Sequence, residues 1–256
     1  EHWLRRMRGY GITVLVTAVG TPLVYPFGMG IGLASLVDTG TNAAFEAGNG
    51  TSVSYLMFVA PALLATAAIM VSSEENTYTV MSGFKWRRTY YGPNASPLSS
   101  GQLVDGHVLG LGVRLLITCG AYFGFLLLFG AAGNPATAWL MIFTAILGGL
   151  SFGLPLMAYS ASITEDRGQF AMVQRFIVMP LFLFSGTFFP LDTLPLVIRW
   201  IGWISPLWHA TELGRLFSYG LAEPVLLTVV HLAYLLVLAA GGWVLARRTF
   251  TRRLGK

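Results

Sequence analysis

Few side chains in this 256-residue chain can do acid–base or nucleophilic chemistry from a position where it would matter. Asp105, His107 and Arg114 lie close enough along the chain to share one helix face or to pair with a second helix. Arg114, Arg175 and His231 fall inside apolar runs. An unpaired charge there costs about 2.5–3.5 kcal/mol on insertion scales, so each is a functional candidate by default. Arg175 lies near the end of its run and can snorkel to the interface. His231 fits a hydrogen-bonded packing histidine, or a proton relay with Asp105, His107 and Arg114 in an ion-coupled carrier.

Catalysis is poorly served. There is no HExxH, no GxSxG and no paired-aspartate motif, and Ser185 with a distant His231 makes a serine–histidine dyad with no motif behind it. Cys119 is the single cysteine, which excludes an intrachain disulfide and a multi-cysteine metal site. The only lysines are Lys85, followed by Trp86, and Lys256 at the end of the sequence, so no GxxxxGK[ST] phosphate loop can be written. The expectation is a chain that is not an enzyme and binds no metal or cofactor, with any ATP hydrolysed by another polypeptide. A membrane-embedded transferase is the weakest alternative.

The elements that must position these residues follow from composition. Hydrophobic residues make up 55% of the chain and charged residues 11%, against roughly 25% charged in a soluble domain. Most of the exterior must therefore meet lipid. About 20 apolar residues cross the hydrocarbon as a helix, and the segments that qualify are Ile12–Val37, Val53–Val71, Val108–Phe129, Ala138–Ile163, Phe170–Leu191 and Pro224–Ala246. No ten-residue alternation of a transmembrane barrel appears. The expected fold is an all-α integral membrane protein with six transmembrane helices in a single domain, 1–256. The first run is too long for a cleavable signal and reads as a retained span, although the chain starts at Glu1 without a methionine.

Basic residues set the orientation. With the N-terminus in the cytoplasm, Arg5, Arg6, Arg8, Lys85, Arg87, Arg88, Arg167, Arg247, Arg248, Arg252, Arg253 and Lys256 lie inside, and only Arg199 and Arg215 outside. The positive-inside rule then places both termini in the cytoplasm, and the net charge of +5 marks a membrane face and not a nucleic-acid surface. Trp200, Trp203 and Trp208 cluster in the external segment, where indole rings favour the headgroup layer.

Four stretches depart from plain spans. Gly20, Pro22, Pro26, Gly28, Gly30 and Gly32 thin the first span, either for close packing or for a substrate path. Residues 1–11 read as an interfacial helix carrying Trp3 and Arg5. In 72–101, Val80, Phe84, Arg87 or Arg88, and Tyr91 recur at helical spacing, which predicts a short amphipathic cytoplasmic helix ended by Pro93 and Pro97. That helix either lies on anionic headgroups or docks a soluble partner. The last stretch, 192–223, holds apolar pieces too short to span, interrupted by Pro195, Ser205, Pro206 and Gly214; they fit an external re-entrant hairpin or a folded loop.

The chain resembles the membrane subunits of type-2 ATP-binding-cassette exporters, the branch that includes nodulation lipo-oligosaccharide and drug-resistance permeases. The likeness runs through Pro22-Leu23-Val24-Tyr25-Pro26-Phe27-Gly28-Met29-Gly30-Ile31-Gly32, Phe58-Val59-Ala60-Pro61-Ala62-Leu63-Leu64-Ala65-Thr66 and Ser96-Pro97-Leu98-Ser99. It continues in Phe184-Ser185-Gly186-Thr187-Phe188-Phe189-Pro190-Leu191, Leu194-Pro195 and Ser205-Pro206-Leu207-Trp208-His209. The resemblance implies a permease in the plasma membrane of a prokaryote, paired with a second copy or a paralogue and docked to cytoplasmic ATPase subunits that hold ATP and Mg. It implies coupling through Trp3, Arg5, Glu74, Glu75, Tyr78, Phe84, Arg87 and Arg88. It also implies a path between the two copies for a lipid, glycolipid or drug, lined by Tyr25, Phe27, Tyr55, Phe58, Phe182, Phe184 and Phe188. The same aromatics can equally pack between helices or face membrane lipid.

Overall fold

The computed structural model of the chain describes residues 45–46 and 52–255. The first span and the interface helix, and with them Trp3, Arg5, Tyr25 and Phe27, lie outside the described residues. Strands β1 (Phe45–Glu46) and β2 (Ser52–Val53) pair antiparallel, Phe45 opposite Val53. They lead into α1 (Tyr55–Asn76), whose N-cap Ser54 hydroxyl accepts the Met57 N–H. At Thr77 the backbone leaves helical geometry (φ −101°, ψ −100°) and the Thr77 hydroxyl donates to the Ser73 carbonyl, so α2 (Tyr78–Phe84) continues at a break. A single turn, α3 (Tyr91–Asn94), then precedes α4 (Ser100–Leu128). Ser99 and Gln102 form a reciprocal capping box at the start of α4, the S-x-x-Q pattern written in the sequence.

Beyond α4 come α5 (Pro135–Ala138) and α6 (Met141–Ser162). The chain continues as α7 (Gln169–Val173), a π-helical turn (Gln174–Val178) and α8 (Met179–Phe184). A 3₁₀ turn (Leu191–Thr193) leads to α9 (Leu196–Trp203), α10 (Pro206–Tyr219) and α11 (Val225–Leu254). Four helical runs are long and apolar enough to cross a membrane: Tyr55–Phe84, Ser100–Leu128, Pro135–Ser162 and Val225–Leu254. The molecule is thus a helical, multi-pass membrane protein.

Helix α6 is the centre, packed against α1, α4, α10 and α11. Lipid offers little hydrophobic drive for helix association, so helices meet where small residues let backbones approach. On α6, a Cβ at Gly149 would lie 3.0 Å from the Ala68 carbonyl oxygen of α1, and one at Gly148 would lie 2.6 Å from the Ala210 Cβ of α10. Helix α11 buries only a stripe, His231, Leu235, Gly242, Ala246 and Phe250, and leaves Val225, Leu226, Val229 and Val237 exposed on the outside of the bundle.

Three sequence expectations are corrected. The fifth span, Phe170–Leu191, is not one helix: the helical run covers Gln169–Phe184, about 24 Å at 1.5 Å per residue against roughly 30 Å of hydrocarbon. Pro180 has no N–H and its ring collides with the carbonyl four residues back, which the widened π turn just before it absorbs. Past Ser185, Gly186 takes φ +70° and turns the chain away from the helix axis. The cytoplasmic helix expected through Tyr91 instead stops at Phe84; residues 85–90 form a turn in which Arg88 has φ +50°, and Pro93 lies inside α3 where it was expected to end a helix. The last span runs on past Ala246 to Leu254, because Arg253 and Phe250 have partners there.

Candidate functional site

Two polar constellations lie at opposite ends of the bundle. At the end that carries Lys85, Arg87 and Arg88, the segment 78–94 is seated on the last turns of α6 and α11. Phe84 is buried and meets Phe250 edge-on at 4.8 Å and Tyr90 at 4.8 Å, and Tyr90 and Phe250 also meet each other at 5.2 Å, so the three rings form a triangle. The Arg253 guanidinium lies 4.2 Å over the Phe84 ring and donates to the carbonyls of Ala161 and Ile163 at 2.6 and 2.7 Å. It thereby closes the C-terminal end of α6, where backbone acceptors lack helical donors. The Asn94 amide donates to the Leu254 carbonyl. Tyr78 is exposed, packs edge-on against Phe170 at 4.9 Å and stacks with Trp86. Lys85, Trp86, Arg87 and Arg88 point outward. This is a firmly mounted loop presenting three cations and an indole.

Glu74 and Glu75 stand apart from that loop. Glu75 is ion-paired with Arg114 of α4, and Glu74, far more exposed, reaches the same guanidinium at 3.7 Å. Asp105 accepts from Trp243 Nε1 at 2.8 Å and pairs with Arg247 at 3.2 Å. Arg114 therefore bridges to α1, one of the two arrangements the sequence left open, while Asp105 turns to α11.

The opposite end is built around groups that composition did not single out. Arg215 of α10, 2% exposed, pairs with Glu212 at 2.7 Å, donates to the Gly186 carbonyl at 2.7 Å and the Phe58 carbonyl at 3.3 Å, and lies 3.8 Å over the Phe58 ring. One guanidinium thus joins α1, the turn after α8, and α10. Ser185, buried beside this turn, donates to Ser205 Oγ at 2.7 Å, which also caps α10 by accepting the Leu207 N–H. The Ser185 hydroxyl is given to Ser205, and the two ring nitrogens of His231 face His209 and Glu223, so the dyad is not formed. His231 is buried against His209, Nδ1 to Nδ1 2.6 Å. Burial raises the Glu223 carboxyl above the ordinary carboxylate range, and a hydrogen bond from Thr228 partly offsets this.

Of the aromatics expected to line a path, Tyr55 and Phe58 are buried next to Phe45, which stacks on Phe58 at 4.5 Å. Phe182 and Phe188 meet edge-on at 5.0 Å against the same cluster, and Phe184 is half-buried. The described aromatics from α1 and the α8 region thus converge at the Arg215 end. Sequence reasoning missed Arg215, because an i,i+3 Glu212–Arg215 pair reads as a solvated helix pair until its tertiary neighbours are known. It missed Glu223 because a carboxylate in a short connection reads as solvated until Thr228 and His231 are seen to face it. His209 was visible only as the last residue of Ser205-Pro206-Leu207-Trp208-His209.

Comparison with known proteins adds an independent line. The family model described as ABC-2 type transporter matches residues 2–217. The chain is similar to Nodulation protein J of Rhizobium leguminosarum bv. trifolii, 27% identical over 98% of this chain and 92% of the relative. It is also similar to Nodulation protein J of Rhizobium leguminosarum bv. viciae, 25% identical over 98% of this chain and 93% of the relative. For the protein of that name from Rhizobium meliloti the figures are 25%, 98% and 92%.

Proposed function

The chain belongs to the ABC-2 type transporter family, and from that premise we propose that it is the permease subunit of an ATP-driven exporter that moves a hydrophobic or amphiphilic substrate, a lipid, glycolipid or drug, outward. ATP and Mg are held by a separate ATPase, which docks on the basic end. The observation that carries this reading is the mounting of the Lys85–Arg88 turn. Its exposed cations suit an acidic or mixed-charge protein surface, and its inner side is keyed to α6 and α11 through Phe84, Arg253 and Asn94. A push on this turn reaches two long helices at once, which is what rigid-body alternation between two arrangements requires.

In this reading the basic end is cytoplasmic, both termini lie on that side, and the four long helical runs join the broken Gln169–Phe184 run and the Ile12–Val37 segment to make six crossings. Helices α9 and α10 form the external re-entrant hairpin. A second copy or a paralogue completes the path, with Tyr25, Phe27, Phe182, Phe184 and Phe188 toward it. Tyr55 and Phe58 shape the wall from behind. Trp3 and Arg5 support the docking face, with Glu74 and Tyr78 at its edge. An ion-coupled carrier is less well supported: Asp105 and Arg114 pair at the basic end and His231 lies at the other.

The test is charge reversal at Arg87 and Arg88 in the full chain co-expressed with its ATPase. The double variant R87E/R88E is expected to behave as wild type in size-exclusion chromatography, since neither side chain is packed, and to lose at least tenfold in ATPase co-purification and substrate-stimulated hydrolysis, about the cost of one or two lost ion pairs. Undiminished co-purification and hydrolysis in the reversed variant overturn the docking assignment.

A further inference from the structure

The buried cluster on α10, α11 and the connection between them holds more hydrogen-bonding atoms than two neutral imidazoles can satisfy. His209 Nε2 faces the Trp203 carbonyl at 3.0 Å. A carbonyl only accepts, so this nitrogen carries a proton. The Nδ1 atoms of His209 and His231 are 2.6 Å apart and need one proton between them. His231 Nε2 then faces Glu223 Oε2 at 3.5 Å, both atoms bearing lone pairs, while Glu223 Oε1 already accepts from Thr228 at 2.8 Å. His231 is fully buried and the Glu223 side chain is 7% exposed. Left without a proton, that last contact would set a carboxylate against a bare ring nitrogen at a separation too short to admit a water between them, the costly case for buried polar groups.

We propose that His209, His231 and Glu223 form a proton-binding site that retains one proton beyond the two neutral imidazoles, shared between His231 Nε2 and Glu223, and that this proton latches the α9–α10 hairpin to α11. The chain of contacts runs from the Trp203 carbonyl through His209, His231 and Glu223 to Thr228. It ties the end of α9, the body of α10 and the first turns of α11 into one unit. With three protons on two rings and one carboxyl, the cluster is neutral overall. Loss of the shared proton leaves a buried negative charge; a further proton makes the two facing Nδ1 atoms both donors and breaks their bond.

Among the described residues, the other charged groups near the cluster cancel locally. On α10, Glu212 pairs with Arg215; on α9, Arg199 pairs with Asp192 at 3.4 Å; α6 brings no ionisable group except Tyr159. Tyr234 of α11 stacks on His209 at 4.0 Å and donates to the Ile204 carbonyl, and Trp208 meets both histidines edge-on. Of these groups Glu212 also acts electrostatically on His231, and its own charge is taken up by Arg215.

The sign of the pH effect follows by linkage. Above neutral pH the folded state holds a proton that the unfolded chain releases more easily, so stability falls as pH rises through the apparent pKa of the cluster; below about pH 6.5 it falls again, because the unfolded chain protonates both histidines while the folded cluster takes up no further proton. The test is thermal unfolding of the purified full chain in lipid nanodiscs from about pH 6 to about pH 9, for wild type and E223Q. The glutamine amide donates to His231 Nε2 at every pH, so above about pH 7.5, where the histidines of the unfolded chain are neutral, E223Q is expected to unfold at one temperature while wild type loses stability toward the alkaline end. Superimposable pH profiles for the two overturn the proposal. Nitrogen-15 spectra of histidine-labelled wild type give a second readout that needs no variant. A nitrogen–nitrogen coupling across the Nδ1 contact, with His231 Nε2 hydrogen-bonded at neutral pH, supports the site. Two isolated neutral rings beside an ionised Glu223 contradict it.

Discussion

Replacing Gly242 by leucine is expected to detach the last helix from the centre of the bundle and to remove most of the folded protein. A Cβ at this position would stand 2.4 Å from the Pro155 nitrogen and ring, and 2.7 Å from the Leu154 carbonyl carbon. Those atoms belong to the backbone of α6, so no side chain can swing aside. Overpacking commonly costs about 1–3 kcal/mol and more where the backbone must move, and this contact joins the two helices that hold the Lys85–Arg88 turn. The internal control is Gly241, one residue away, where a Cβ meets nothing within 4 Å. Size-exclusion profiles and melting curves in mild detergent are expected to be near wild type for G241L and to show aggregation, or a strongly lowered melting temperature, for G242L. Equal behaviour of the two variants would mean that α6 and α11 do not meet as described.

The second large effect is at Arg215. The leucine variant leaves Glu212, 13% exposed at its side chain, without its cation and strips the Gly186 and Phe58 carbonyls of their donor. Breaking one side of a buried ion pair costs about 3–5 kcal/mol, whereas replacing both partners by apolar groups is often neutral. The expected order of melting temperatures is therefore wild type, then E212L/R215L, then R215L well below. Because the same guanidinium fixes the turn after α8 to α1, the double variant is expected to recover stability without recovering substrate movement. A single variant as stable as the double one would show that Arg215 is not buried against Glu212 in the membrane.

These residues mark where the sequence was legible and where it was not. The helices over Val53–Val71, Val108–Phe129 and Ala138–Ile163 follow from apolar length alone, because lipid leaves the backbone no other way to satisfy itself. The start of α4 was not read: apolar length put it at Val108, whereas the Ser99–Gln102 capping box begins the helix at Ser100, ahead of the apolar run. The end of α11 was not legible either, since Arg247, Arg248, Arg252 and Arg253 read as a solvated basic tail, and only the carbonyls of Ala161 and Ile163, some 90 residues away in sequence, explain why the helix persists to Leu254. The break near Pro180 was signalled by the proline, but a wide π turn and a straight apolar span look alike in composition. The candidate site divides in the same way. The basic turn was visible as charge, whereas Arg215 and the His209–His231–Glu223 cluster depend on which helix faces which.

A division of labour between permease and ATPase is tested most directly by where ATP is used. Proteoliposomes containing the purified chain alone, or the chain with its ATPase subunit, can be assayed side by side for ATP hydrolysis and for movement of a fluorescent amphiphile. The expected result is no hydrolysis and no movement from the chain alone, and movement that needs both the partner and ATP and is insensitive to a protonophore. Hydrolysis by the isolated chain, or movement driven by a proton gradient without ATP, would contradict the account.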